Sequence, residues 1–190
     1  KHADKYSPAY KPLYSRPDLF NLTLTDQEEA PDGWNFLGGI EKGNPDAENI
    51  ILKVCSPSCG HCDKAHRIFN EILTVNDNVK IITIYDVNND STSDFKRLPV
   101  MHFLALAEQE DAKQIKEAMD YWYLNKSRNY ETLQQNFPVP SDVLERQRGK
   151  LKIMSDWCMD ADIAYTPTVF INGKRLPETF YLSDLKDIFA

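Results

Sequence analysis

The feature that most constrains this chain is a Cys-x-x-Cys pair that opens an amphipathic helix directly after an apolar strand. Asn49–Cys55 carries Ile50, Ile51, Leu52 and Val54, an apolar run of strand length. From Cys59 to Leu73, the residues Ala65, Ile68, Phe69 and Ile72 recur at the spacing of one helical face. Val79–Tyr85 is a second apolar run. Strand, helix and strand in this order predict a βαβ unit with a parallel strand pair, and so an α/β fold.

The flanking regions fit around that unit. Residues Lys1–Asn44 read as an irregular N-terminal extension, broken by Pro8, Pro12, Pro17 and Pro31. Tyr6, Tyr10, Tyr14, Phe20 and Trp34 would anchor it to the body. Residues 99–161 read as a helical insertion. One apolar stripe there is Ile115, Ala118, Met119 and Trp122. Another is Leu144, Leu151, Met154 and Cys158, with Ser141 as its N-cap. Tyr130–Phe137 is a short helix between them. The chain then returns to β structure. Thr168–Ile171 is a β-branched and aromatic run, and Asn172-Gly173 is a hairpin signal because a type I′ turn needs positive φ at both central residues. Lys174–Tyr181 would hold the returning strand, and Ser183 would cap a terminal helix. The whole is one domain over residues 1–190: a mixed sheet flanked by helices.

Composition excludes several functions. The 190 residues are 42% hydrophobic and 27% charged, an ordinary globular balance. A net charge of −7 argues against a nucleic-acid groove. With 7 glycines there is no dinucleotide fingerprint and no phosphate loop. No apolar stretch approaches the roughly 18 residues that span a bilayer. The sequence opens at Lys1 and not at Met, as a processed chain or an excised segment would. Four cysteines are too few for a disulfide scaffold, and three of them crowd one strand-to-helix junction.

That crowding is where the chemistry lies. In Cys59-Gly60-His61-Cys62, the first cysteine falls at a helix start, where free N–H groups and the positive dipole end favour a thiolate. Cys62 lies one turn deeper on the same face. Cys59 is then the nucleophile and Cys62 the resolving thiol. An imidazole at His61 stabilises the reduced form, which makes the disulfide a stronger oxidant. Thr166-Pro167 leads into the hairpin strand and is a candidate cis bond. Such a loop presents a backbone edge beside the disulfide, so Thr166 and Pro167 are candidate substrate-binding residues, with Pro167 also part of the reactive site. The pair itself is the redox group, so neither an organic cofactor nor a metal is required.

Asn44-Pro45-Asp46-Ala47, Ser56-Pro57-Ser58-Cys59-Gly60-His61-Cys62 and Thr166-Pro167-Thr168-Val169-Phe170-Ile171-Asn172-Gly173 resemble the thioredoxin superfamily in its DsbA-like branch. The resemblance covers residues 44–190, and the helical stretch sits where that branch carries a helical subdomain. The run Ser58-Cys59-Gly60-His61-Cys62-Asp63-Lys64-Ala65-His66, Trp157-Cys158 and the Asn172-Gly173-Lys174-Arg175-Leu176-Pro177 tail resemble the thioredoxin-like domain attached to bacterial vitamin K epoxide reductase homologues of the Bacteroidetes type. The Gly-His dipeptide resembles that of protein disulfide isomerase. These resemblances imply a periplasmic or extracytoplasmic thiol–disulfide oxidoreductase acting on cysteine-containing protein substrates. They imply a quinone-linked membrane oxidase as partner, with any tether lying upstream of Lys1. Oxidation is the expected direction. Reduction or isomerisation by the same pair, a copper- or zinc-carrying module, and a docking module with secondary chemistry are the alternatives.

Four further positions carry readings. Relatives often hold an acid six residues before the first active-site cysteine, where this chain has Lys53. Either its charge lowers the Cys62 pKa, or its stem follows the sheet with the head in solvent. The solvated reading is the simpler expectation. Cys55 and Cys158 read as small buried hydrophobes, or as a second redox pair if they approach within disulfide range. His66 could complete a metal set with Cys55, Cys59 and Cys62, but the junction makes that geometry awkward, so a satisfied or exposed His66 is expected. His2 and His102 carry no argument. Asn21-Leu22-Thr23 and Asn125-Lys126-Ser127 match a glycosylation pattern common by chance.

Overall fold

A computed structural model describes residues 16–87, 94–125 and 128–189. Tyr6, Tyr10, Tyr14, His2 and most of the Asn125-Lys126-Ser127 pattern fall outside the described residues.

The N-terminal region is more regular than its prolines suggest. Helix α1 spans Pro17–Thr25, with Pro17 at its first position, where the missing N–H is not needed. A 3-10 turn at Trp34–Phe36 leads into β1, Ile40–Gly43. The expectation of a wholly irregular extension is therefore corrected: tertiary pairing recruits Ile40–Gly43 as an edge strand antiparallel to β3. Phe20 is an anchor, buried edge-on against Phe180 with ring centroids 5.1 Å apart.

Strand β2 (Asn49–Cys55), helix α2 (Gly60–Val75) and strand β3 (Val79–Tyr85) form the expected βαβ unit, with β2 and β3 parallel. Among the described residues five helices follow: α3 (Asp94–Glu108), α4 (Ala112–Leu124), α5 (Tyr130–Asn136), α6 (Ser141–Arg146) and α7 (Arg148–Asp160). Side chains cap two of them. Asp111 accepts from the N–H groups of Lys113 and Gln114 at α4, and Asn129 accepts from that of Thr132 at α5. Ser141 is not the N-cap of a long helix. Pro140 holds that position on the shorter α6, and Gln147 separates α6 from α7.

Strand β4 (Thr168–Ile171) pairs antiparallel with β2 and passes through Asn172-Gly173 into β5. Asn172 and Gly173 both have positive φ, 49° and 80°, as the turn requires. The Asn172 side chain also accepts from the Ile50 N–H at 2.8 Å. The return strand is shorter than expected: β5 is Lys174–Arg175 only, and Pro177 follows it closely. A 3-10 turn, Leu182–Asp184, then meets helix α8, Leu185–Ile188. Asp184, not Ser183, stands at the N-cap of α8, and Tyr181 caps the 3-10 turn before it, its N–H donating to the Asp184 carboxylate at 2.8 Å.

The sheet order is β1-β3-β2-β4-β5. Leu52, Val54, Ile82, Ile84 and Phe170 join one core with α3, α4 and α7. Ile51, Ile81, Val169 and Ile171 join a second core with α1, α2 and α8. Coverage of both faces explains why β2 and β3 read as continuous apolar runs and not as alternating ones. No helix among the described residues is long and apolar enough to cross a membrane.

Candidate active site

Cys59 is the N-cap of α2, with extended backbone (φ −82°, ψ 123°) and no side-chain capping bond. Its N–H donates to the Ser56 carbonyl at 3.2 Å, which closes the turn after β2. The opening N–H groups of α2 therefore lie beside the Cys59 side chain. Cys59 is half-buried, while Cys62 in the first turn is fully buried. The exposed and buried thiols stand in the order that the spacing implies. All four cysteines are free thiols. His61 is exposed on the surface of the turn.

The second half of the site arrives from α7 and β4. Helix α7 ends at a left-handed Asp162 (φ 47°), with the Ile163 N–H donating to Cys158 O at 3.0 Å and the Asp162 N–H to Met159 O at 3.1 Å. This reversal sends the chain across the end of the sheet. The Thr166–Pro167 bond is cis, and the Thr168 hydroxyl closes the loop on the Tyr165 carbonyl at 2.6 Å. Cys59 Sγ donates to the Thr166 carbonyl at 3.1 Å, across 107 residues of chain. An exposed Tyr165 stands on the rim.

The helical region grips the reactive turn from the other side. Trp122 Nε1 donates to the Pro57 carbonyl at 2.8 Å, and Arg128 Nη1 donates to the same oxygen at 2.8 Å. Arg128 also donates to the Cys59 carbonyl at 3.4 Å, pairs with Asp63, and lies over the Tyr123 ring. Burial raises the Asp63 carboxyl above its ordinary value, against the pull of Arg128 and Arg67. Nothing in the local sequence marked Trp122 or Arg128, because their partners lie 65 to 71 residues away.

Beneath the turn the sequence reading needs correction. Lys53 is not solvated. It is 2% exposed, with its ammonium 5.7 Å from the Phe69 ring centroid. The reason is register: Lys53 pairs with Thr83 and Val169 in an interior strand covered by helices on both faces. Its charge bears on Cys55, and Cys62 is instead pushed strongly up by neighbouring Cys55 and by burial. Cys55 and Cys62 thus each bear on the other's titration. Cys158 is buried on α7, and burial, with Asp86 nearby, pushes it up to about 12.

His66 is satisfied, as expected. It is 2% exposed, hydrogen-bonded to Asp120 at 2.6 Å and stacked on Tyr123. That turns it away from a ligand role. Among the described residues, no three His, Cys, Asp or Glu side chains converge to hold a metal ion. His102 is likewise buried, on the Phe137 carbonyl at 2.6 Å.

A Cys-x-x-Cys helix start facing a cis-proline loop on a β1-β3-β2-β4-β5 sheet defines the thioredoxin-like class of α/β proteins. The family model described as thioredoxin matches residues 37–188, and the chain belongs to that family. Among solved structures, oxidised BdbD from Bacillus subtilis superposes with a TM-score of 0.65 at 14% identity, covering 86% of this chain and 95% of that one. The catalytic domain of Proteus mirabilis ScsC gives 0.64 at 16%, covering 82% and 89%. The thiol-disulfide exchange protein alpha-DsbA2 from Wolbachia pipientis gives 0.62 at 14%, covering 97% and 98%. At these identities the likeness is one of fold. No curated protein matches the chain.

Proposed function

We propose that this protein is a thiol–disulfide oxidoreductase that donates disulfides to cysteine-containing proteins outside the cytoplasm. The observation that carries the reading is the 3.1 Å approach of Cys59 Sγ to the Thr166 carbonyl, with Cys62 buried behind it. A substrate thiolate attacks Cys59 of the disulfide, and Cys62 leaves. A second substrate thiolate then resolves the mixed disulfide, which releases oxidised substrate and reduced enzyme. Thr166 and Pro167 offer backbone beside the reacting sulfur, and His61 stabilises the reduced pair. The Cys59–Cys62 disulfide is the only redox group this cycle needs.

The periplasmic setting and a quinone-linked oxidase of the vitamin K epoxide reductase type belong to this proposal and rest on sequence resemblance. Such a partner would reoxidise Cys59 and Cys62 after each turnover.

The deciding measurement is the redox equilibrium of the Cys59–Cys62 pair in a glutathione series, with Cys59→Ser as control. A midpoint near or above about −200 mV is expected. A midpoint near about −270 mV, typical of reducing thioredoxins, would reverse the direction and remove the case for the oxidase partner.

A further inference from the structure

A third thiol lies under the reactive pair. Cys55 closes β2 and Cys62 sits in the first turn of α2. Both are fully buried in one cluster of side chains, where each thiol bears on the other. Lys53 precedes Cys55 by two residues, so it projects from the same face of β2. It too is buried, against α2.

Opening the disulfide makes a problem at this place. When a thiolate attacks Cys59, the bond between the two sulfurs breaks and its electron pair leaves on Cys62. A bare thiolate in a fully buried site is strongly disfavoured. The groups that bear on Cys62 are Cys55, Cys59 and the Ser56 backbone. Lys53, buried on the same strand face, has no proton acceptor to offer while it is an ammonium.

We propose that Cys55 is a catalytic acid–base residue that protonates Cys62 as the disulfide opens, leaving its own thiolate beside Lys53. This step rests on the oxidoreductase reading above. The substrate thiolate forms a new bond to Cys59, the Cys59–Cys62 bond breaks, and the electron pair goes to Cys62. The Cys55 proton then passes to the neighbouring Cys62 sulfur. In reverse, the Cys55 thiolate takes that proton back as Cys62 attacks the mixed disulfide. The only group oxidised is the substrate thiolate.

The electrostatics run the same way. Burial would raise the Cys55 thiol, but neighbouring Cys62 and the charge of Lys53 bring it below its ordinary value. Cys59 and Asp63, on the α2 side, oppose this. Tyr85 on β3 and Tyr123 on α4 also face Cys55, and burial keeps both phenols protonated far above neutral pH.

The test uses the full chain and two readouts. First, thiolate ultraviolet absorbance is titrated in Cys59→Ser, which keeps Cys55 and Cys62. One thiolate should appear below the ordinary thiol range near ~8.5. It should vanish in Cys59→Ser/Cys55→Ser and move to higher pH in Cys59→Ser/Lys53→Met. Cys158, at about 12, stays outside this window. Second, reduced glutathione opens the disulfide of the otherwise unaltered chain. Cys55→Ser and Cys55→Ala should each slow this by ~100-fold, the scale of general acid–base catalysis. Serine and alanine are both smaller than cysteine, so urea midpoints are read beside the rates, and a slowing at an unchanged midpoint is not one of packing. Wild-type opening rates in both variants, or an unchanged titration, would overturn the proposal and leave the oxidoreductase reading standing. If instead the unaltered pair does not exchange with glutathione at all, that reading fails, while the titration still decides the pairing of Cys55 with Lys53.

Discussion

Trp122 and Pro57 are joined by an indole N–H donating to a carbonyl at 2.8 Å, and that bond ties helix α4 to the turn carrying the reactive cysteines. The same carbonyl receives Arg128 from the segment before α5. Two donors on one oxygen, plus the Arg128–Asp63 pair, make the helical region the outer wall of the redox turn. The family fold supplies the cysteine helix, and these contacts hold its N-terminal approach in place.

Arg128→Met keeps an apolar stem but removes every donor. It should cost about 1–3 kcal/mol, the range for lost hydrogen bonds to charged and partly buried groups. Because the Cys59 carbonyl is among its acceptors, disulfide exchange should slow as well. Urea unfolding read beside glutathione exchange checks both. An unchanged midpoint and rate would mean that Trp122 holds the turn alone.

His66 should make the fold acid-sensitive. Burial, then the charge of Lys53, pushes its pKa down to about 3, although Asp120 pulls the other way. An unfolded histidine titrates near ~6.5. Between those values the unfolded chain binds the extra proton. Stability is therefore full above about pH 6.5 and falls toward pH 3, by about 1.4 kcal/mol per pH unit at full slope. His66→Gln should lower stability at neutral pH yet flatten this slope. Unfolding curves across pH 3 to 7 decide it, and an equal slope in the variant would show that other groups carry the acid response.

Lys42 on β1 is a stability liability. Among the described residues its ammonium has no hydrogen-bond partner, and burial, together with the nearby charge of Lys53, brings its pKa down to about 8. The folded pKa lies below the unfolded value, so stability should rise as pH climbs from about 8 toward about 10.5. Lys42→Met should stabilise the protein at neutral pH by about 1–2 kcal/mol, a figure reduced from the full shift because the side chain is partly exposed. Thermal unfolding at pH 7 and pH 10 tests this: the gain should shrink at the higher pH.

Gly43 ends β1 at φ 95°, where an added Cβ would lie 2.3 Å from the Val79 carbonyl oxygen. Gly43→Ala should therefore cost about 3 kcal/mol through backbone strain and collision. A smaller loss, under about 1 kcal/mol by denaturant unfolding, would show that the edge strand moves aside freely.

Much of the site could be read from sequence because its signals are local. An apolar run next to a 3.6-residue periodicity specifies strand then helix, and two cysteines one turn apart at that junction share a face. Asn172-Gly173 needs only its own dihedral preferences to mark the hairpin, and Thr166-Pro167 announces its loop. Tertiary structure decided what depends on distant neighbours. A lysine can lie at the surface or be buried, and only the placement of β2 between two covered faces put Lys53 inside. A four-residue edge such as Ile40–Gly43 has too little pattern of its own and becomes a strand by pairing with β3. The partners of Cys55, His66, Trp122 and Arg128 come from other elements, so their roles arise when the chain closes and burial removes the water that would otherwise satisfy them.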